Sequence, residues 1–464
     1  EMLDQSVGIL LVKLSFPAMA GMILYSLLNL VDVFFIARLG PEALAVMTIS
    51  IPVQVLVTSM ASATGVGVTS LIARTLGAGD IKDADNTAWH GIFISIFYGI
   101  IFVFLGIKYI DELLILFGCT PETFVMAKSY LRIILAGCIF TFIPIMLGNI
   151  IQGEGNTFLP ILVALIGISL NVIFDPIFMF GLGPIEGRGL DGAAIASVLA
   201  QILSSLLLIV IVLKRRVFLT WSITNFRPGL KVLSGIYKVG LPAMVMEITG
   251  VIIMAFLNRV LGGYSYTAVA VLGIFLRIRS LTLMPVLGLT QGTMPITGFA
   301  YGAGNLDRVK EAIIKSVALS LLFTGAAWFI VQYYPLMVID LFSNDPTLTV
   351  MGVTCLRLAT IFLPLLGPIL ILYTAFQALG KGTTAMCLSV LRQLGLFLII
   401  LPQYFSINGV WLAFSVSELL SGLLAAIFFL RLWRQLQVKR RLPVIMLLHR
   451  GYAFKRFLTW LKWQ

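Results

Sequence analysis

Residues 76–88, LGAGDIKDADNTA, and residues 301–313, YGAGNLDRVKEAI, are one turn written twice, 225 positions apart. In each copy Gly-Ala-Gly closes an apolar run and an Asp or Asn opens a charged helical turn. The offset recurs elsewhere. FPAMAGMI at 16–23 answers LPAMVMEI at 241–248, so that Pro17 matches Pro242. Leu131 and Arg132 align with Leu356 and Arg357, and Gln152 and Gly155 of QGEGNT align with Gln377 and Gly380 of QALGKG. Separate matches at one spacing make the chain a duplication.

What is duplicated is apolar. Of 464 residues 59% are hydrophobic and 11% charged, against roughly 25% charged in soluble domains, and the mean hydropathy is +1.05. Twelve runs of membrane-crossing length are readable, centred near Leu24, Leu56, Ile100, Ala136, Ile168 and Leu203, then near Ile252, Leu283, Leu322, Pro364, Leu394 and Leu420. Each run has about the 20 residues that cross a hydrocarbon core of about 30 Å. Six spans per copy is an even number, so the second copy enters the bilayer in the same sense as the first. The expected fold is an all-α membrane protein, twelve transmembrane helices in two parallel six-helix repeats around a central cleft. The expected units are an N-lobe at 1–213, an inter-lobe linker at 214–238, a C-lobe at 239–435 and a basic amphipathic tail at 436–464.

A net charge of +12 could suggest a nucleic-acid partner, but its placement points to orientation in a membrane. The connector at 214–238 carries six Lys or Arg and no acid, and 431–464 carries nine more. By the positive-inside rule both lie in the cytoplasm, with the N-terminus on the same side, in a multi-pass protein of the plasma membrane. The tail mixes Phe454, Phe457, Leu458 and Leu461 with Lys455, Arg456 and Lys462, the pattern of a helix lying on the inner leaflet. Four scattered cysteines and two histidines, His90 read in a loop and His449 in the tail, offer no metal or disulfide framework. LGKGTT at 379–384 has Ala375 where a phosphate-binding loop needs glycine, and the runs hold no catalytic set. No enzyme activity and no cofactor are expected.

The informative residues are those too costly to leave in lipid. An ionised carboxylate in hydrocarbon must be paired, protonated or wetted. Asp32, Asp175, Glu247 and Glu418 lie near the middle of runs, as do Arg277, Arg279, Arg357 and Arg392. Glu247 and Glu418 could pair with these arginines, whereas neither aspartate has an arginine at helical spacing in its own span. In YSLLNLVDVFF, Tyr25, Asn29 and Asp32 share one helical stripe. In SLNVIFDPIFMFG at 169–181, Asn171 and Asp175 are four apart on one face, and Pro176 removes an amide donor from the turn. Carboxylates, amides and a freed carbonyl in a low-dielectric cavity suit a proton or a cation such as Na⁺.

These residues also carry a resemblance. NLVDVFFIARLG in the first span, QGEGN after the fourth, NVIFDPIFMFGLG in the fifth, GLDGAAIASVLAQ opening the sixth and YGAGNLDRVKEA after the eighth resemble the multidrug and toxic compound extrusion (MATE) family, over nearly all of 8–435. The resemblance implies export of drugs or toxic organic cations in exchange for inward H⁺ or Na⁺, without ATP; a site inside one duplicated chain points to a functional monomer in the bilayer. The resemblance also implies an ion site on Asp32, Asn171 and Asp175, with the Ser197 hydroxyl helping to hold the ion. Tyr25, Asn29 and Glu247 then belong to the substrate cavity, Glu247 standing near an acid used by another branch. The tenth span lacks the aspartate that would complete a second-lobe site. A lipid-linked precursor flippase or a solute symporter on the same duplicated fold is the alternative.

Overall fold

The computed structural model describes residues 2–214, 219–342, 345–393 and 397–461. The first half runs α1 Val7–Ala37, α2 Pro41–Gly77, α3 Ile81–Lys108, α4 Ile110–Leu116, α5 Phe124–Ala136, α6 Ile139–Gly153, α7 Phe158–Phe180 and α8 Gly189–Lys214. The second runs α9 Leu230–Gly262, α10 Tyr266–Gly302, α11 Leu306–Tyr333, α12 Pro335–Asp340, α13 Pro346–Ala359, α14 Leu363–Ala378, α15 Gly382–Gln393 and α16 Phe397–Leu461, the last kinked at Ser406. Among the described residues nine helices are long and apolar enough to cross a membrane. The number is eleven when α5 with α6, bent by 44°, and α13 with α14, bent by 51°, each count as one span. The remaining expected run centres near Leu394, and 394–396 lie outside the described residues, as do the side chains on which the amphipathic-tail reading turns.

The duplication is visible in local chemistry. Asp80 caps α3 by accepting from the Asp83 amide at 3.0 Å, and its counterpart Asn305 caps α11 by accepting from the Arg308 amide at 3.1 Å. Gly79 and Gly304, at φ +82° and +72°, both take the left-handed turn that ends the preceding helix, a conformation glycine adopts without a Cβ penalty. Short α4 and α12 begin at matched positions, and both bent spans break in corresponding places. Asp345, outside the spans, caps α13, and hydrogen bonds from the Thr347 hydroxyl and amide hold its carboxyl below the usual range. One element departs from an all-helical reading, a minimal hairpin of β1 Gly181–Leu182 and β2 Ile185–Glu186 between α7 and α8.

The halves meet along α1 with α10 and along α2 with α9 and α10. Buried Leu10, Leu14, Ile72, Leu289 and Ile296 form an apolar cluster across this seam. At the end bearing the two repeated turns the backbones nearly touch. A Cβ on Gly77 would lie 2.3 Å from the Phe299 carbonyl oxygen, and one on its counterpart Gly302 would lie 2.0 Å from that of Arg74. Ser70 Oγ closes the same end by donating to the Gln377 carbonyl at 2.6 Å. The outer faces are apolar, with Phe16, Phe97 and Phe104 at least 60% exposed, as suits surfaces turned to lipid.

The segment after α8 lies along the first half rather than hanging as a simple tether. Buried Asp85 of α3 accepts from the Thr220 amide and hydroxyl, the Trp221 amide and Asn225 Nδ2, and Glu154 accepts from the Leu219 amide. His90 belongs to α3, not to a loop. Its Nδ1 bonds the Asn86 carbonyl at 2.8 Å and its ring meets Phe226 at 5.0 Å, because the helix continues past the charged turn through WHGIFI.

Candidate functional site

A cavity of about 960 Å³ lies between the halves. Tyr25, Asn29 and Asp32 of α1 line it, so the polar stripe read in the first span does face inward. Asn29 donates to the Tyr25 carbonyl at 3.1 Å, which ties the amide to its own helix. Asn171 of α7, Ser197 of α8 and Glu247 of α9 also line the cavity.

Asp175 is placed differently from the expectation that both aspartates open onto the cavity. It is 0% exposed and stands behind the lining, packed where α7 meets α1 and α8. Spacing along α7 assigns it a face but not a depth. Its Oδ1 accepts from Asn171 Nδ2 at 3.1 Å, and the same nitrogen donates to Ser197 Oγ at 3.2 Å. Its Oδ2 is buried and meets no hydrogen-bond donor among the described residues. Half-buried Asp32 faces it closely enough for the two carboxyls to hydrogen-bond once one is protonated. Neither forms an ion pair with Lys or Arg among the described residues.

Two facing carboxyls without a basic partner repel unless a proton or a cation comes between them. The donor set is carboxylate, amide and hydroxyl oxygen, which matches a hard cation and also a single shared proton. Among the described residues no cluster of three or more His, Cys, Asp or Glu could hold a metal ion. The second copy does not repeat this chemistry, since Leu257 stands at the position matching Asp32 and Ile400 at that matching Asp175.

The remaining acids separate cleanly. Glu418 is 2% exposed and joined to Arg279 at 3.0 Å, a structural ion pair. Glu247 is exposed to the cavity with the Ser59 hydroxyl as hydrogen-bond partner and with no ion pair among the described residues. Sequence reasoning missed Tyr130 of α5, which is 5% exposed, lies within electrostatic reach of both aspartates and hydrogen-bonds Gln54 of α2. A tyrosine in FVMAKSYLRIILA reads as filler, and its only hint was its place beside the repeated Leu131-Arg132 pair.

The MatE family model matches the chain twice, over 17–177 and 242–401, two stretches that begin at the repeated prolines. The chain is 27% identical to an FAD transporter of Shewanella oneidensis over 433 residues, 91% of this chain and 94% of that protein. It is 25% identical to the multidrug export protein MepA of Staphylococcus aureus over 417 residues, 89% of this chain and 91% of that protein. A solved MOP superfamily transporter of Pyrococcus furiosus superposes with a TM-score of 0.86 at 29% identity, covering 94% of this chain and 98% of that one. A MATE transporter in the bent conformation superposes at 0.89 with 28% identity and the same coverage. Duplicated helices, a cleft between the copies and both family matches lead to one conclusion: the chain belongs to the MatE family, the multidrug and toxic compound extrusion transporters of the membrane.

Proposed function

We propose that the protein is a secondary active efflux transporter that exports bulky cationic or amphipathic compounds in exchange for inward H⁺ or Na⁺. The observation that carries this reading is the buried Asp175 Oδ2, facing Asp32, with no donor and no Lys or Arg ion pair among the described residues. Such a pair holds one positive passenger well and two badly. An organic cation at the cavity face of Asp32 and an ion between Asp32 and Asp175 draw on the same negative charge, so each lowers the other's affinity. The multidrug reading draws on the Staphylococcus relative, and the Shewanella relative is named for FAD.

The ion, entering from outside, binds Asp32 and Asp175 with Asn171 and Ser197 and releases the drug. The two halves then rock about the seam to present the pair to the other side. The glycine contact of α2 with α10 seals the cleft at the end of the repeated turns. The positive-inside rule assigns that end to the cytoplasm and the sealed state to outward access. Each charge moving down 100 mV supplies about 2.3 kcal/mol, to which the chemical gradient adds. The site lies within one duplicated chain, so a monomer of the plasma membrane suffices.

In everted vesicles energised by an imposed H⁺ or Na⁺ gradient, the wild type is expected to accumulate a fluorescent organic cation. Asp32→Asn and Asp175→Asn, at equal expression, are each expected to abolish that accumulation. Accumulation near the wild-type level in both variants would contradict the assignment.

A further inference from the structure

The half of the cavity opposite the aspartates carries a basic side chain on its lining, which the first half does not. Three ionisable side chains meet there: Arg279 of α10, Glu418 of α16 and Arg392 of α15. Glu418 is engaged by Arg279, whose guanidinium also lies 5.5 Å from the Phe414 ring centre. With Glu247 of α9 counted there are two cations and two acids, so what sets this half apart is not net charge but an arginine on the lining with no ion-pair partner among the described residues. Of the two arginines only Arg392 lines the cavity, together with Tyr373, whose hydroxyl is hydrogen-bonded to the Ser421 hydroxyl at 2.6 Å. Arg392 Nε is buried and meets no acceptor among the described residues. Glu247, the one acid on the facing α9 surface, has Ser59 as its partner and forms no ion pair with Arg392 among the described residues. The stretch that follows, 394–400, contains no acidic residue. A guanidinium on the wall of a large cavity, without an ion-pair partner among the described residues and with a phenol on the same wall, suits a planar oxyanion.

We propose that Arg392, with Tyr373, is an oxyanion subsite of the transport cavity, so that the preferred substrates are amphipathic zwitterions: aromatic cations that also carry a carboxylate or phosphate. The cationic part lies toward Asp32 and the oxyanion toward Arg392, which gives the two halves of one duplicated cavity different tasks. This deepens the efflux reading and rests on it.

The test uses detergent-purified full-length protein and two probes sharing one fluorophore: tetramethylrhodamine, a zwitterion with a free carboxylate, and its methyl ester, a plain cation. Fluorescence polarisation gives both dissociation constants. The expected result is that Arg392→Gln lowers the ratio of acid affinity to ester affinity at least about tenfold, the size of one charge-assisted hydrogen bond lost. Arg392→Lys, which keeps the charge but not the planar fork, is expected to restore part of that ratio. A ratio unchanged by Arg392→Gln, or restored in full by a neutral residue, overturns the subsite. The ester serves as the fold control, because a misfolded variant loses both probes, and in that event the Lys variant must still shift the ratio for the proposal to stand. Gradient-driven transport of the ester tests the efflux reading separately: its absence in the wild type sinks that reading, whereas an unchanged ratio sinks only the subsite.

Discussion

Asp175 has one oxygen held by Asn171 and one that meets no donor among the described residues, and the proposed coupling rests on that inequality. A buried carboxylate with half its acceptor capacity unmet is costly, by about 1–3 kcal/mol for an unsatisfied group and more when it is charged. A proton or a cation between Asp175 and Asp32 removes the cost. Asn171→Ala takes away the donor that stabilises the empty, ionised Asp175, and the expected result is a proton held at least about tenfold more tightly, since hydrogen bonds to charged groups contribute about 1.5–3 kcal/mol. Titrating gradient-driven transport against proton concentration reads this as a lowered half-saturation value with expression intact. At this scale the sequence was partly legible: spacing put Tyr25, Asn29 and Asp32 on one cavity-facing stripe and brought Asn171 to Asp175, because helical neighbours are set by the 3.6-residue period. The approach of Tyr130 was not, because α5 comes within electrostatic reach of the pair from 45 positions before Asp175 and 98 after Asp32, and no local pattern encodes that approach. Ser197 came only with the family resemblance, and the structure sets its hydroxyl 3.2 Å from Asn171.

At the scale of elements, closure depends on two helices crossing where neither has a side chain. Any residue larger than glycine at 302 drives its Cβ into the Arg74 carbonyl, backbone against backbone. Gly302→Leu is therefore expected to part α2 from α10 and to open the sealed end. In everted vesicles, a cysteine placed at buried Ala73 in a cysteine-free background reads this as faster labelling by a membrane-impermeant maleimide in the Leu variant than in its glycine parent. Equal, slow labelling in both would mean that the seam does not close that end. The segment at 219–229 supplies a second case. Asp85→Ala strands the Thr220 amide and hydroxyl, the Trp221 amide and the Asn225 amide group. It is expected to release this strap, measured as faster cleavage within 219–229 by a broad-specificity protease. The repeat showed both Gly-Ala-Gly turns in advance, whereas the strap was invisible because Asp85 lies in a charged stretch that looks like a solvated surface.

For the whole molecule, duplication supplies the architecture and its breaking supplies the chemistry. Caps, left-handed glycines, short helices and bent spans recur from one half to the other. The aspartates do not: Leu257 and Ile400 replace Asp32 and Asp175, and the second half presents Glu247 and Arg392 to the cavity. The span pattern was legible because bilayer thickness fixes helix length, and the repeat because matched turns need matched glycines. How deep each acid sits was illegible, since that depends on which helices cover it.

The central claim, that one acid pair is shared between a coupling ion and an organic cation, is tested most directly by equilibrium binding. The dissociation constant of tetramethylrhodamine methyl ester is measured on purified protein as pH is lowered and, in a second series, as Na⁺ is raised at constant ionic strength. The account predicts that one of the two series weakens binding steadily, because the ion neutralises the charge the probe needs, and that Asp175→Asn flattens that series. A dissociation constant indifferent to both H⁺ and Na⁺ in the wild type would contradict it.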